Sequence, residues 1–116
     1  MEKDYKLSEN IELRIVDIGA SGGKNIRWKN LQLRHKAILF EPDPRSFDLI
    51  KNNKNDLIIN TALSSEKKER VFYLCNKNEL SSFYAPNKEF ISYFADFERF
   101  NIVKTLKLKT DTLDNQ

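Results

Sequence analysis

Three short apolar runs punctuate an otherwise polar chain, and turn-forming residues follow each of them. Leu13, Ile15, Val16 and Ile18 make the first, the near-continuous stretch expected of a strand covered on both faces. Ala37-Ile38-Leu39-Phe40 is the second and Leu57-Ile58-Ile59 the third. Between the first two, residues 24 to 35 are long enough for a helix, with Ile26, Trp28, Leu31 and Leu33 as loosely spaced apolar positions. Between the second and third, Asp43 can cap a helix and Pro44 can take its first position. Phe47, Leu49 and Ile50 then form the inward side, and the polar cluster Asn52-Asn53-Lys54-Asn55 ends the helix near Asn53. Strands alternating with helices predict parallel pairing and the opening half of a doubly wound α/β domain. Residues 1 to 11 are polar and read as a frayed end or a short leading helix.

From Ser64 the pattern changes, because the charged loop Ser65-Glu66-Lys67-Lys68-Glu69 leaves no room for a crossover helix. Residues 70 to 75 are rich in β formers, and a second short run follows at Ser81-Ser82-Phe83-Tyr84. Residues 103 to 110 alternate Leu106 and Leu108 with Lys107 and Lys109, which predicts an antiparallel strand near an edge with one face in water. Between these, Phe90, Tyr93, Phe94, Phe97 and Phe100 recur at spacings of three and four, a helical stripe of aromatics over residues 86 to 100. Packed on the sheet, such a stripe is core; left bare, it is a cap over an acceptor pocket or a face for a partner.

Composition narrows the classes. A chain of 116 residues, 40% hydrophobic and 32% charged, reads as one soluble domain spanning residues 1–116. The net charge of +3 comes from interspersed charges and not from a basic stripe, so no nucleic-acid partner is expected. A single cysteine, Cys75, rules out an internal disulfide and reads as a packed small residue. The charged start carries no signal peptide and no run is long enough to cross a bilayer, so the expected place is the cytoplasm, away from membranes. His35, at the end of the first expected helix, reads as a surface histidine.

The candidate chemistry lies where the first apolar run ends. All three glycines of the chain fall within Gly19-Ala20-Ser21-Gly22-Gly23, which predicts a backbone that approaches a ligand or adopts positive φ. Glu41 closes the second apolar run, close to the twenty or so residues beyond the turn at which a nucleotide-binding unit places a carboxylate for ribose hydroxyls. A dinucleotide fingerprint is opposed by Ser21 and Lys24, which stand where its second and third glycines belong. A phosphate-cradling loop is opposed by a run one residue short and by Asn25 in place of the magnesium-holding hydroxyl.

A third reading comes from resemblance. Val16-Asp17-Ile18-Gly19-Ala20-Ser21-Gly22-Gly23 resembles the first motif of class I S-adenosylmethionine-dependent methyltransferases. Phe40-Glu41-Pro42-Asp43-Pro44 with Phe47, Asn60-Thr61-Ala62-Leu63-Ser64, Phe72-Tyr73, Ser81-Ser82 and Thr112-Leu113-Asp114 are similar to successive landmarks of the FkbM-like family within that class, over residues 13 to 114. The resemblance implies that Asp17 and the backbone of Gly19, Ala20, Ser21, Gly22 and Gly23 surround the amino-acid part of S-adenosylmethionine. Glu41 would hold its ribose, Pro42 and Asp43 would flank its adenine, and Asn60 and Ala62 would lie along the adenine edge. Ser21 departs from the residue usual in the motif but is small enough to keep the turn.

The expected fold is therefore an incomplete doubly wound, Rossmann-like sheet of three parallel strands with crossover helices, extended by antiparallel strands and an aromatic-rich helix. The expected activity is O-methylation of a hydroxyl on a sugar or small natural product, a small-molecule or glycan acceptor. No residue is assigned as catalytic base or metal ligand. Family members continue past Thr112-Leu113-Asp114, so the chain reads as the cofactor-binding portion of a longer enzyme, inactive alone and prone to self-associate through its incomplete sheet. The alternatives are a non-catalytic interaction module using the aromatic face and an NAD-binding unit.

Overall fold

In the computed structural model, residues 12–29 and 35–116 are described. The expectation for residues 1 to 11, and the part of the first helix carrying Leu31 and Leu33, lie outside them. The three apolar runs become strands Leu13–Ile18 (β1), His35–Phe40 (β2) and Asp56–Ile59 (β3). They form one parallel sheet in the order β1-β2-β3, with Ile15 opposite Ala37 and Leu39 opposite Ile58. Two short helices connect them, Ile26–Lys29 (α1) and Pro44–Ile50 (α2). Asn25 caps α1 by accepting from the Arg27 N–H at 3.0 Å, and Asp43 caps α2 with Pro44 in its first turn.

Side-chain alternation divides this sheet into two unlike faces. On one, Ala37 and Leu39 are fully buried with Ala20, and Ile15 and Ile58 pack against them. The other face carries Val16, Ile18 and Leu57, which are 46%, 59% and 57% exposed. Parallel strands with long apolar runs are ordinarily covered on both sides, and here the cover is partial. At the start of the strands, Lys24 reaches back from the glycine turn to place Nζ 3.0 Å from His35 Nε2 and 3.4 Å from Asp56 Oδ1. His35 is thus a half-buried residue that opens β2, not a surface residue ending a helix.

The second part of the chain forms a separate sheet. Ala62–Leu63 (β4), Glu69–Cys75 (β5) and Ile102–Asp111 (β6) lie in the order β4-β6-β5, with β6 antiparallel to β5 and parallel to β4. The chain is therefore a mixed α/β structure with a three-strand parallel sheet and further antiparallel strands. Strand β6 was expected near an edge and is instead the middle strand of its three. The alternation of leucine and lysine reports a wet face, and says nothing about whether both edges find partners. Thr110 is buried in β6 because its hydroxyl donates to the Glu66 carbonyl at 2.8 Å and fastens the charged loop. The run at residues 81 to 84 contributes one bridge, Ser82 to Tyr73, in place of a strand.

The aromatic segment departs furthest from expectation. It holds a four-residue helix, Lys88–Ile91 (α3), and a separate 3-10 turn, Phe97–Phe100. Asn87 starts α3 by accepting from the Phe90 N–H. Asp96, at φ 59°, adopts the left-handed conformation immediately before the 3-10 turn, so one continuous helix does not form. Phe90, Tyr93, Phe94 and Phe97 are exposed, which removes the expectation that this stripe packs onto the sheet.

Candidate ligand-binding site

At the C-terminal end of the parallel sheet, β1 runs into Gly19 and the chain reverses. The N–H groups of Gly19 and Ala20 both donate to the Phe40 carbonyl, at 2.8 and 3.0 Å, which bolts the turn to the end of β2. The Gly23 N–H closes the turn onto the Ala20 carbonyl at 2.9 Å. Gly19 and Gly22 have φ of 82° and 83°, a region that side-chain-bearing residues enter only with strain. At Gly19 nothing lies within 4 Å of where a Cβ would stand, so a ligand could approach this backbone closely. Ser21 Oγ lies 2.7 Å from Ser46 Oγ, joining the turn to α2.

Strand β2 delivers Glu41 beside this turn. Its N–H donates to the Ile59 carbonyl, and its carbonyl accepts from Asn60 Nδ2 at 2.9 Å, so the main chain is held from β3. The side chain belongs to a residue only 3% exposed, and Oε1 accepts from the Asp43 N–H at 2.9 Å. Burial pushes the Glu41 carboxyl above its ordinary range. The Asp43 N–H opposes that shift, while the charges of Asp43, Asp17 and Glu79 add to it.

Asp43 has the opposite balance. Burial alone would raise its carboxyl, but hydrogen bonds from Arg45 and Ser81 and the guanidinium charge outweigh it and hold the carboxyl below its ordinary value. Arg45 donates through its backbone N–H at 2.9 Å, Nε at 3.1 Å and Nη2 at 2.8 Å. The same Nη2 donates to the Cys75 carbonyl at 2.8 Å, and Ser81 Oγ accepts from the Cys75 N–H while donating to Asp43. A buried, charge-assisted network thus clamps the end of β5 to the start of α2.

Beside that clamp, a cleft lies between the two sheets. A cavity of about 210 Å³ is lined by Phe40, Pro42, Ala62, Leu63, Phe72 and Phe83, among others. Next to it lies a smaller one of about 90 Å³, bounded by Ser21, Glu41, Asn78 and Glu79. Gly19, Pro42, Phe72 and Ser81 line both, so an apolar chamber adjoins an acidic one.

Five of the residues singled out from the sequence meet at this cleft: Gly19, Ser21, Glu41, Pro42 and Ala62. Asp17 does not line it and acts on Glu41 through charge. Ala20 faces the core, Gly23 lies beside Ile50, Asp43 is committed to Arg45, and Asn60 braces the Glu41 carbonyl. Gly22 shapes the turn. Sequence reasoning missed Arg45, Asn78 and Glu79. An arginine two residues after a helix-capping aspartate is a local signal for the first, whereas Asn78 and Glu79 come to the cleft in the 3-10 turn after β5, which Ser81 ties to Asp43 far away in the chain.

No protein-family model, curated protein or solved structure matches the chain. The functional reading therefore rests on the site itself.

Proposed function

We propose that this cleft binds S-adenosylmethionine and that the chain is the cofactor-binding portion of an FkbM-like class I methyltransferase with a Rossmann-like sheet. The observation that carries the reading is Glu41, a buried carboxylate at the end of β2 with one oxygen held by Asp43, facing a small cavity beside an open glycine turn. A carboxylate so placed suits ribose hydroxyls. The residues present fit such a ligand: the chamber of Phe40, Pro42, Ala62 and Phe72 suits a flat ring, and Gly19 leaves its backbone approachable. When bound, the cofactor supplies an electrophilic methyl group on a sulfonium. The acceptor in this reading is a hydroxyl of a sugar or small natural product. The groups described here account for holding and orienting the donor.

Calorimetric titration with S-adenosylmethionine tests the reading. Hydrogen bonds to a charged group contribute about 1.5 to 3 kcal/mol each, so Glu41→Ala should weaken binding by roughly tenfold to more than a hundredfold. A folded chain that takes up no S-adenosylmethionine removes the proposal.

A second reading, a non-catalytic interaction module, is favoured by the exposed Phe90, Tyr93, Phe94 and Phe97. Their replacement by serine would abolish partner capture under that reading and leave S-adenosylmethionine binding intact under the first. Self-association through the partly covered face of the parallel sheet belongs to the first reading, and sedimentation tests it.

A further inference from the structure

The segment between Pro86 and Ile102 gathers exposed aromatic rings beside an apolar hollow. Phe90, Tyr93, Phe94 and Phe97 are 61%, 81%, 53% and 45% exposed. Rings of this kind bury about 150 to 250 Å² each when covered, so the four leave roughly 500 Å² of aromatic surface in water. That is near the upper end of the largest apolar patch on an ordinary monomer. The patch is held in shape. Phe90 and Phe94 lie 5.3 Å apart between ring centroids, and the Phe90 N–H donates to Asn87 Oδ1 at 3.1 Å. At the other end, the Lys77 N–H donates to the Arg99 carbonyl at 3.0 Å and the Asn76 N–H to the Asn101 carbonyl at 2.7 Å, which ties the 3-10 turn to the chain just after β5. A surface fixed in this way loses little freedom when it is covered.

The hollow is a cavity of about 150 Å³ lined by Ile91, Ser92, Phe97, Phe100 and Ile102, among others. An apolar cavity of about this size accepts a ring the size of benzene. Tyr93 directly follows Ser92 of its wall and is the most exposed of the four aromatics. One segment thus carries both a protruding ring and a socket that suits a ring, which is the requirement for pairing of like with like about a two-fold axis. The charges agree. Lys88 and Arg99 are exposed in the same segment as Glu89, Asp96 and Glu98, so the patch is of mixed sign and does not repel a copy of itself. Its excess of acid opposes an anionic lipid surface or a nucleic acid. The area agrees too: roughly 500 Å² of rings supplies more than half of the 800 Å² or so that each partner of a stable dimer buries, and the charged surroundings supply a polar rim.

We propose that this segment is a dimerisation surface whose partner is a second copy of the chain, with Tyr93 of each copy seated in the socket beside Ile91, Phe97 and Phe100 of the other. The pairing is closed, because both rings and both sockets are used, and so it stops at two. It gives the aromatic face a named partner and is independent of the cofactor reading of the cleft.

The test is sedimentation of the full chain over a range of concentrations, comparing the native chain with Tyr93→Ser, which removes the ring, and Ser92→Trp, which fills the socket. Both positions are exposed, so both variants should keep the fold, which circular dichroism checks. The native chain should form a dimer, and each substitution should weaken it by roughly tenfold to a hundredfold, as the loss of a central aromatic anchor does. Mixing the two variants is the decisive arm. A Tyr93→Ser chain keeps its socket and a Ser92→Trp chain keeps its ring, so the mixture should form heterodimers more tightly than either variant pairs with itself. A native chain that stays monomeric at about 100 µM, well above the dissociation constants of stable dimers, would overturn the proposal. So would a dimer that both variants leave intact and Ile18→Ser weakens, which would place the contact on the parallel sheet. Open-ended association, or a mixture no tighter than the variants alone, would show adhesive rings without a matched socket and would overturn it as well.

Discussion

Replacing Asp43 by alanine is the sharpest perturbation the structure offers, because one side chain joins two sheets. Its carboxylate accepts from the Arg45 backbone N–H, from Arg45 Nε and Nη2, and from Ser81 Oγ. Loss of the α2 cap costs about 1 kcal/mol. Breaking a fully buried ion pair costs about 3 to 5 kcal/mol. Asp43 is 1% exposed but the Arg45 side chain is 33% exposed, so the stranded guanidinium recovers part of its hydration. That lowers the pair's share to about 2 kcal/mol and the total to about 3 kcal/mol. With a urea slope of about 1 to 2 kcal/mol per molar, the unfolding midpoint should fall by about 1.5 to 3 M. Urea titration followed by circular dichroism gives the loss, and Arg45→Met with the double variant completes a cycle. Because the two residues share their contacts, the cycle should show coupling of about 1 kcal/mol or more. A loss below about 1 kcal/mol for Asp43→Ala, or strict additivity in the cycle, would refute the view that this pair joins the sheets.

Two further outcomes follow from the same region. Glu41, whose carboxyl is raised above 4.5 by burial, binds its proton more tightly in the folded chain than in the unfolded one. Its contribution to stability is therefore present below the ordinary value and lost as pH rises through the raised one. Asp43, held below 3.8, acts in the reverse sense and loses its contribution as pH falls through its lowered value. Glu41→Gln should thus match the native chain in acid and exceed its stability near neutral pH, and a Gln variant less stable at pH 7 would contradict this. Cys75 is buried, and burial pushes its thiol up, so a chromogenic disulfide reagent should leave it unmodified in the native chain and titrate one thiol on unfolding. Rapid reaction in the native chain would show the end of β5 to be open.

The parallel sheet was legible because each of its strands is a local event. Ala37 to Phe40 and Leu57 to Ile59 announce themselves as apolar runs, and the structure adds His35, Lys36 and Asp56, polar residues drawn in by register with their neighbours. The helix start at Asp43-Pro44 was equally legible, since capping involves residues two apart. What the chain does not announce is non-local. Arg45 finds its second partner on Cys75 and Ser81, and Glu79 lines the cleft beside Glu41 although the two are far apart in the chain. The aromatic stripe shows the limit of periodicity. Spacings of three and four say which side chains would share a face if a helix persisted, and the left-handed Asp96 between α3 and the next turn means that it does not. At the candidate site the glycine turn and Glu41 could be singled out from residue type and spacing. The commitment of Asp43 to Arg45 could not, because a capping aspartate and an adenine-flanking one are the same letter.

The unlike faces of the parallel sheet also bear on how the chain melts. Val16, Ile18 and Leu57 already expose about half of their surface in the folded chain, so unfolding hydrates them less than it would the residues of a covered face. Apolar hydration is the source of the heat-capacity increase on unfolding. That increment should fall below the roughly 1.4 to 1.7 kcal/mol/K expected for this length, giving a flatter dependence of stability on temperature. Anything that covers the face would restore the curvature, so calorimetric melting of the chain alone and in assembly would read that cover as heat capacity.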